Sequence, residues 1–281
     1  MDKCVCLKSL NGSKEDIKGE FLNEVENQHK HGGKSAIAIY GITKNPDDGS
    51  LRKLLDSKYN DLSWEHKIKN LKYIADGLAA IHKANLVHKD FHSGNIVNDN
   101  MVSSLITDFG LCRPVVLYGE KFTEKSDIYS FGIIMSEVFT GYPPYHDIPH
   151  DFSLATQICQ GRRPKIRCKV PQLLLNLMNE CLDAEPQRRP TAKTLVDMLE
   201  KFDEDLNYTK AELYKQVEEI KSSGKNSSIH EQVNQTKSTR FNYQTHKQAI
   251  YTSRSLNFQK LPKPVNAAIS HSIELDEVPD I

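Results

Sequence analysis

The sequence has no uncharged apolar run approaching 18 residues and no apolar stretch of signal-peptide length between Met1 and Leu10, so neither a membrane-spanning helix nor a secretory leader is read from it. Charge of one sign is not in excess either. Thirty-seven Lys+Arg stand against 37 Asp+Glu, and no global field draws the chain toward nucleic acid or anionic lipid. Internal repeats are missing, and the single Trp64 is the only tryptophan. The six cysteines (Cys4, Cys6, Cys112, Cys159, Cys168 and Cys181) show no paired metal-ligand spacing and read as reduced thiols of a soluble, cytoplasmic protein. What is present, 281 residues of which 38% are apolar, suffices for a sizeable core.

Periodicity organises that material. Val5 to Leu10 alternates as a strand, Ile17, Phe21, Leu22 and Val25 follow with helical spacing, and Ala36 to Ile42 is a second strand. A short helix follows Gly49-Ser50. From Ser63, placed as an N-cap, Ile68, Leu71, Ile74, Ala75, Leu78 and Ile81 trace one apolar stripe to about Lys83. Leu86-Val87 starts a strand that breaks into a polar loop, and Ser104 to Thr107 forms another short strand. Ser126 to Phe139 is apolar nearly all round and predicts a fully buried helix; Phe152–Cys159, Leu173–Leu182 and Ala192–Phe202 predict three more. Residues 203–221 extend as a helix, and 222–281, rich in Ser, Asn, Gln, Thr and Lys, predict a mostly disordered tail. Local order is allowed at Tyr251 to Pro264, where aromatic and proline residues can dock on the domain. Tyr251-Thr252-Ser253-Arg254 is the one specific candidate for phosphorylation there.

Two polar loops carry chemistry. His88-Lys89-Asp90-Phe91-His92-Ser93-Gly94-Asn95 sets a carboxylate and a carboxamide five apart, and Asp108-Phe109-Gly110 follows eighteen residues after Asp90. Phosphoryl transfer needs a carboxylate that accepts the attacking hydroxyl's proton and hard oxygen ligands for the Mg²⁺ that neutralises the β and γ phosphates. Asp90 suits the first role, and Asn95 and Asp108 the second. Upstream, Lys8 on the first strand would hold the α and β phosphates, oriented by Glu24 on the following helix.

In this order the motifs V-x-x-K, helix glutamate, H-x-D-x-x-x-x-N and D-F-G resemble the protein kinase family, closest to its tyrosine-kinase-like members. The resemblance continues through Lys125-Ser126-Asp127-Ile128-Tyr129-Ser130-Phe131-Gly132 to Gln187-Arg188-Arg189-Pro190, covering about residues 4 to 202. It implies an α+β, bilobal fold: residues 1–48 a curtailed small lobe with a truncated sheet, residues 49–202 a mainly helical large lobe. It also implies ATP and Mg²⁺ as cofactors, a protein substrate or signalling partner, Asp127 as the anchor of the catalytic loop, and Arg189 as the partner of an A-P-E glutamate.

Three family blocks are not found. No glycine precedes Gly12, so the glycine-rich phosphate loop is missing; only Thr43 to Asp48 stand where a further strand and the hinge belong; and Asp127 comes only nineteen positions after Asp108, too few for a full activation segment with A-P-E. Arg189 then needs another acid, such as Glu120 or Glu124, or its surroundings loosen. Lys89 replaces the arginine that clamps a phosphorylated loop, and His92 the basic residue two positions after the catalytic aspartate. Two other readings follow from the gaps: a catalytically impaired scaffold, or an incomplete chain of a longer kinase.

Overall fold

The computed structural model describes residues 49–99, 101–108, 113–114, 123–226, 244–251, 258 and 260–266. The strands expected at 5–10 and 36–42 and the helix expected at 17–25 lie outside these residues. In chain order the elements are α1 (Leu51–Lys58), α2 (Trp64–Lys83), β1 (Leu86–Val87), β2 (Ile96–Asp99), β3 (Ser103–Ile106) and β4 (Arg113–Pro114). Then come α3 (Glu124–Thr140), α4 (Phe152–Cys159), α5 (Gln172–Cys181), α6 (Ala192–Asp205) and α7 (Glu212–Asn226).

Ser63 opens α2 with a reciprocal cap. Its Oγ accepts from the His66 amide at 3.2 Å while His66 Nδ1 accepts from the Ser63 amide at 3.3 Å, so a histidine takes the place a glutamate usually fills. The stripe Ile68, Leu71, Ile74, Ala75, Leu78 and Ile81 is buried, and it lies against α6 and β3. Helix α3 is enclosed as its composition requires, with Ile128, Phe131, Ile134, Met135 and Phe139 fully buried. It meets α5 closely at Gly132, where a Cβ would stand 2.8 Å from Leu182 Cδ2 and 2.9 Å from Cys181 Cβ. It ends at Gly141, whose φ of +77° is the left-handed cap a glycine accepts without strain.

Among the described residues the sheets are two antiparallel pairs. β1 pairs with β4 through Leu86 with Pro114 and Val87 with Arg113, and β2 pairs with β3 from Ile96 with Ile106 to Asp99 with Ser103. An uncharged side-chain network ties the β2–β3 hairpin to α2: Asn98 Nδ2 and Ser104 Oγ donate to Asn70 Oδ1 (2.5 and 2.7 Å), and Asn70 Nδ2 donates to the Met101 carbonyl (2.6 Å). The Asn98 amide also donates to the Gly49 carbonyl at 2.6 Å, which pins the chain entering α1 to the same hairpin.

Two expectations are corrected. Residues 203–221 are not one helical extension. The Asn207 and Tyr208 amides turn back three residues to the Glu204 and Asp205 carbonyls, which ends α6, and a separate α7 begins at Glu212 and runs past 221 to Asn226. Leu213 and Val217 of α7 join the core. Among the described residues, contacts between the tail and the lobe are present already at Gln244, ahead of Tyr251, because main-chain hydrogen bonds there supplement the aromatic and proline side chains.

Among the described residues Arg189 is held in place by main-chain carbonyls and an aromatic ring. Its Nε donates to the Asp183 carbonyl (2.7 Å), its Nη1 to the Lys125 carbonyl (2.7 Å), and the guanidinium lies 5.0 Å from the centroid of the Tyr129 ring. Lys125 Nζ in turn donates to the Arg189 carbonyl at 2.5 Å. Among the described residues no carboxylate pairs with Arg189, Glu124 included, and Glu120 lies outside them. Main-chain carbonyls and an aromatic face are the partners of this cation among the described residues.

Lys67 carries a testable consequence of burial. Only 6% exposed, its Nζ sits 4.0 Å from the Tyr59 ring centroid and 4.8 Å from that of Trp64. Burial pushes its pKa down from 10.5 to about 8, although the two ring faces favour the cation. Between about pH 8 and pH 10.5 the unfolded chain therefore holds a proton that the folded one has lost, and stability rises with pH. Above about pH 9 the Cys168 thiol and the half-buried Tyr59 hydroxyl, both pushed up mainly by desolvation, act in the opposite sense. Relative to Lys67→Met, the native chain should gain roughly 1 kcal/mol between pH 7 and pH 9. Urea melts of both proteins at the two pH values measure it, and parallel pH profiles would refute the burial argument.

Candidate active site

The turn between β1 and β2 is held from below by one buried carboxylate. Asp127, 2% exposed on the first turn of α3, accepts the His88 amide at 2.8 Å, the Lys89 amide at 3.2 Å and His82 Nε2 at 3.0 Å. His88 itself is fully buried. Its Nε2 donates to the Thr107 carbonyl at 2.9 Å and its ring packs on Phe91, while burial lowers its pKa and keeps the imidazole neutral. Lys89 then turns the chain with φ +69°, a left-handed conformation that costs a non-glycine residue about 1 kcal/mol and persists because the Asp127 bonds demand it.

A second buried network holds the far end of the loop. Ser93 Oγ donates to Glu137 Oε2 at 2.7 Å, and Arg52 Nη1 of α1 reaches the same oxygen at 2.9 Å. Arg52 Nη2 also donates to the Gly141 carbonyl at 2.6 Å, so α1, the loop and the end of α3 share one guanidinium. Burial raises the Glu137 pKa, and the Arg52 charge and the Ser93 hydrogen bond pull it back down.

Between these anchors lie three of the five residues singled out from the sequence. Asn95 Nδ2 donates to the Asp90 carbonyl (2.9 Å) and to Asp90 Oδ2 (3.1 Å), which commits the amide nitrogen and leaves Oδ1 as the oxygen that could face a cation. The Thr107 amide and Oγ1 both donate to the Asn95 carbonyl, at 2.9 and 3.1 Å. Asp108, the next residue, takes φ +64°, a conformation aspartate tolerates better than most side chains. The loop and the exit of β3 are thus joined at Asn95, one residue from Asp108. His92 Nδ1 accepts the Gly94 amide at 3.1 Å, which makes Nε2 the protonated nitrogen; it faces Asp90 Oδ1 at 3.7 Å. Lys8 and Glu24 lie outside the described residues, as does Cys112.

Asp108 and Asn95 offer two hard oxygens. That is the set Mg²⁺ takes when phosphate oxygens and water complete its octahedron, and it fits the ion. Among the described residues no cluster of three or more His, Cys, Asp or Glu side chains is built to hold a metal without such help. His82 and the Arg52–Glu137–Ser93 network were not anticipated. A polar residue recurring on the buried side of an apolar helix was the available signal for each.

A sequence profile of the protein tyrosine and serine/threonine kinase family matches this chain over residues 2–118 and 114–199. The chain belongs to that family, whose members transfer phosphate to proteins and generally use ATP and Mg²⁺. The join between the two matched stretches falls where the sequence is short of an activation segment. A probable serine/threonine-protein kinase of Dictyostelium discoideum is 31% identical over 178 residues, covering 56% of this chain and 11% of that protein. The probable serine/threonine-protein kinase drkA of the same organism is 28% identical over 233 residues, 71% of this chain and 36% of its own length. Stress-activated protein kinase alpha, also from Dictyostelium discoideum, is 27% identical over 235 residues, 69% of this chain and 36% of its own. The chain therefore spans between about a tenth and about a third of the length of these relatives. Among the described residues no helix is long and apolar enough to cross a membrane.

Proposed function

We propose that the chain carries out ATP- and Mg²⁺-dependent phosphoryl transfer to protein hydroxyl groups, with serine and threonine the preferred acceptors, in signalling. The observation that carries this reading is the double hydrogen bond from Asn95 to Asp90, with Asp108 one residue beyond the clamp that Thr107 makes on Asn95. Asp90 is the catalytic base: Asn95 holds its carboxylate in place to orient and accept the proton of the incoming hydroxyl. Asn95 Oδ1 and the Asp108 carboxylate would hold Mg²⁺, which when bound supplies neutralisation of the phosphate charge. By resemblance to the family, Lys8 would hold the α and β phosphates and Glu24 would orient it. The serine/threonine preference rests on the names of the relatives.

The nineteen-residue interval between Asp108 and Asp127 favours a second reading, a kinase-like scaffold without transfer activity. Nucleotide binding separates the two. With Mg²⁺ and ATP at about a hundred times the dissociation constant, the melting temperature should rise by about 5 °C or more, and Asp108→Ala should remove the Mg²⁺-dependent part of that rise. A cooperative melt indifferent to nucleotide would establish the scaffold instead.

A further inference from the structure

Residues 244–251 form a strap along the loop between α3 and α4, and Phe258 and residues 260–266 lie against α4 and the turn after α5. At the first end the His246 amide donates to the His146 carbonyl (2.7 Å), the His150 amide to the Gln248 carbonyl (3.0 Å), and the Ile250 amide to His150 Nδ1 (3.2 Å). Tyr251 closes this segment. Its hydroxyl donates to the Pro144 carbonyl at 3.0 Å and its ring stands edge-on to His150 at 5.0 Å. Further on, Phe258 packs edge-on against Phe152, the Val265 amide donates to the Cys159 carbonyl (2.8 Å), and Asn266 bonds both Ala184 and Asp183.

The hold is polar and shallow. Ile250, Tyr251, Leu261 and Val265 remain 38–50% exposed, so little apolar area backs the hydrogen bonds, and a contact of this kind opens at low cost. Within it the Tyr251 hydroxyl acts as a donor to a carbonyl while staying reachable from solvent.

We propose that Tyr251 is a phosphorylation site whose modification releases this strap from the α3–α4 loop. A tyrosine-directed kinase acting in trans would join Tyr251 Oη to the γ-phosphorus of ATP as the bond from that phosphorus to the β–γ bridging oxygen breaks. ADP leaves, and the hydroxyl proton passes to the modifying enzyme's base. The modified oxygen has no proton to donate, and it brings about two negative charges against the Pro144 carbonyl. Two cations of the adjoining α4–α5 segment are already engaged: Arg167 pairs with Asp147 at 3.0 Å, and Arg162 donates to Gln157. This inference does not rest on catalysis by the chain itself.

Hydrogen–deuterium exchange on the full-length chain tests it, with phosphate placed on Tyr251 by protein ligation and Tyr251→Phe for comparison. Exchange across 146–150 and 244–250 should accelerate about tenfold or more with phosphate and about threefold with phenylalanine, while the amides of α3 keep their protection. In parallel, a broad-specificity tyrosine kinase with Mg-ATP should label Tyr251 in the native chain. Unchanged or slower exchange after phosphate is installed, as would follow if Arg162 or Arg167 captured it, overturns the proposal. So does failure to label Tyr251 while other exposed tyrosines are labelled.

Discussion

Asp127→Ala should destabilise the large lobe by about 3–5 kcal/mol, a substantial part of the 5–15 kcal/mol typical of a whole domain. The carboxylate is the shared acceptor of the His88 and Lys89 amides and of His82 Nε2, in a pocket that water hardly reaches. Removing it leaves three donors without this acceptor at once and withdraws the support for the left-handed turn at Lys89. Asp127→Asn should fall between, since its one oxygen still accepts but its nitrogen confronts donors. Equilibrium denaturation read by circular dichroism gives both values. A loss below 1 kcal/mol for alanine would mean that the loop is held elsewhere.

The largest effect on activity belongs to Asp90→Asn. If Asp90 accepts the substrate proton, this near-isosteric change should lower the turnover number by about 10²- to 10⁴-fold while leaving the KM for ATP and the melting temperature close to native. The loop is expected to survive the change because Asn95 Nδ2 also holds the Asp90 main-chain carbonyl, and because the anchors at Asp127 and Glu137 do not involve the Asp90 side chain. Initial rates of phosphate transfer to a generic protein, alongside a thermal melt, measure all three quantities. Equal rates for Asp90→Asn and native chain would remove the catalytic assignment.

Local signals made much of the lobe legible. The stripe from Ile68 to Ile81 and the all-round apolarity from Ile128 to Phe139 each forecast a helix and its burial, because a helix shows its packing face directly as period. The loop motif was legible for a different reason: Asp90, Asn95 and Asp108 combine a fixed order with a demand for hard oxygens. Pairings across long separations were not. Glu137 lies 85 residues from Arg52 and reads as a flaw in an apolar helix, although it joins α1 to the loop through Ser93. His82 was likewise absorbed into the end of a helical stripe. The break at 206–211 escaped because Leu206 and Leu213 keep nearly helical spacing across a turn that only the main-chain hydrogen bonds reveal.

The joint between Lys125 and Arg189 has an environmental corollary. An arginine–carboxylate pair weakens when acid protonates the carboxylate and when dissolved ions shield the two charges. Here each cation donates instead to the other's peptide carbonyl, and Arg189 also to that of Asp183. A carbonyl has no proton to gain in that range and carries no net charge to shield, so these hydrogen bonds respond less to mild acidification and ionic strength than a conventional ion pair would, and the pH- and salt-sensitive part of this corner is the pull of the Asp183 carboxylate on Arg189.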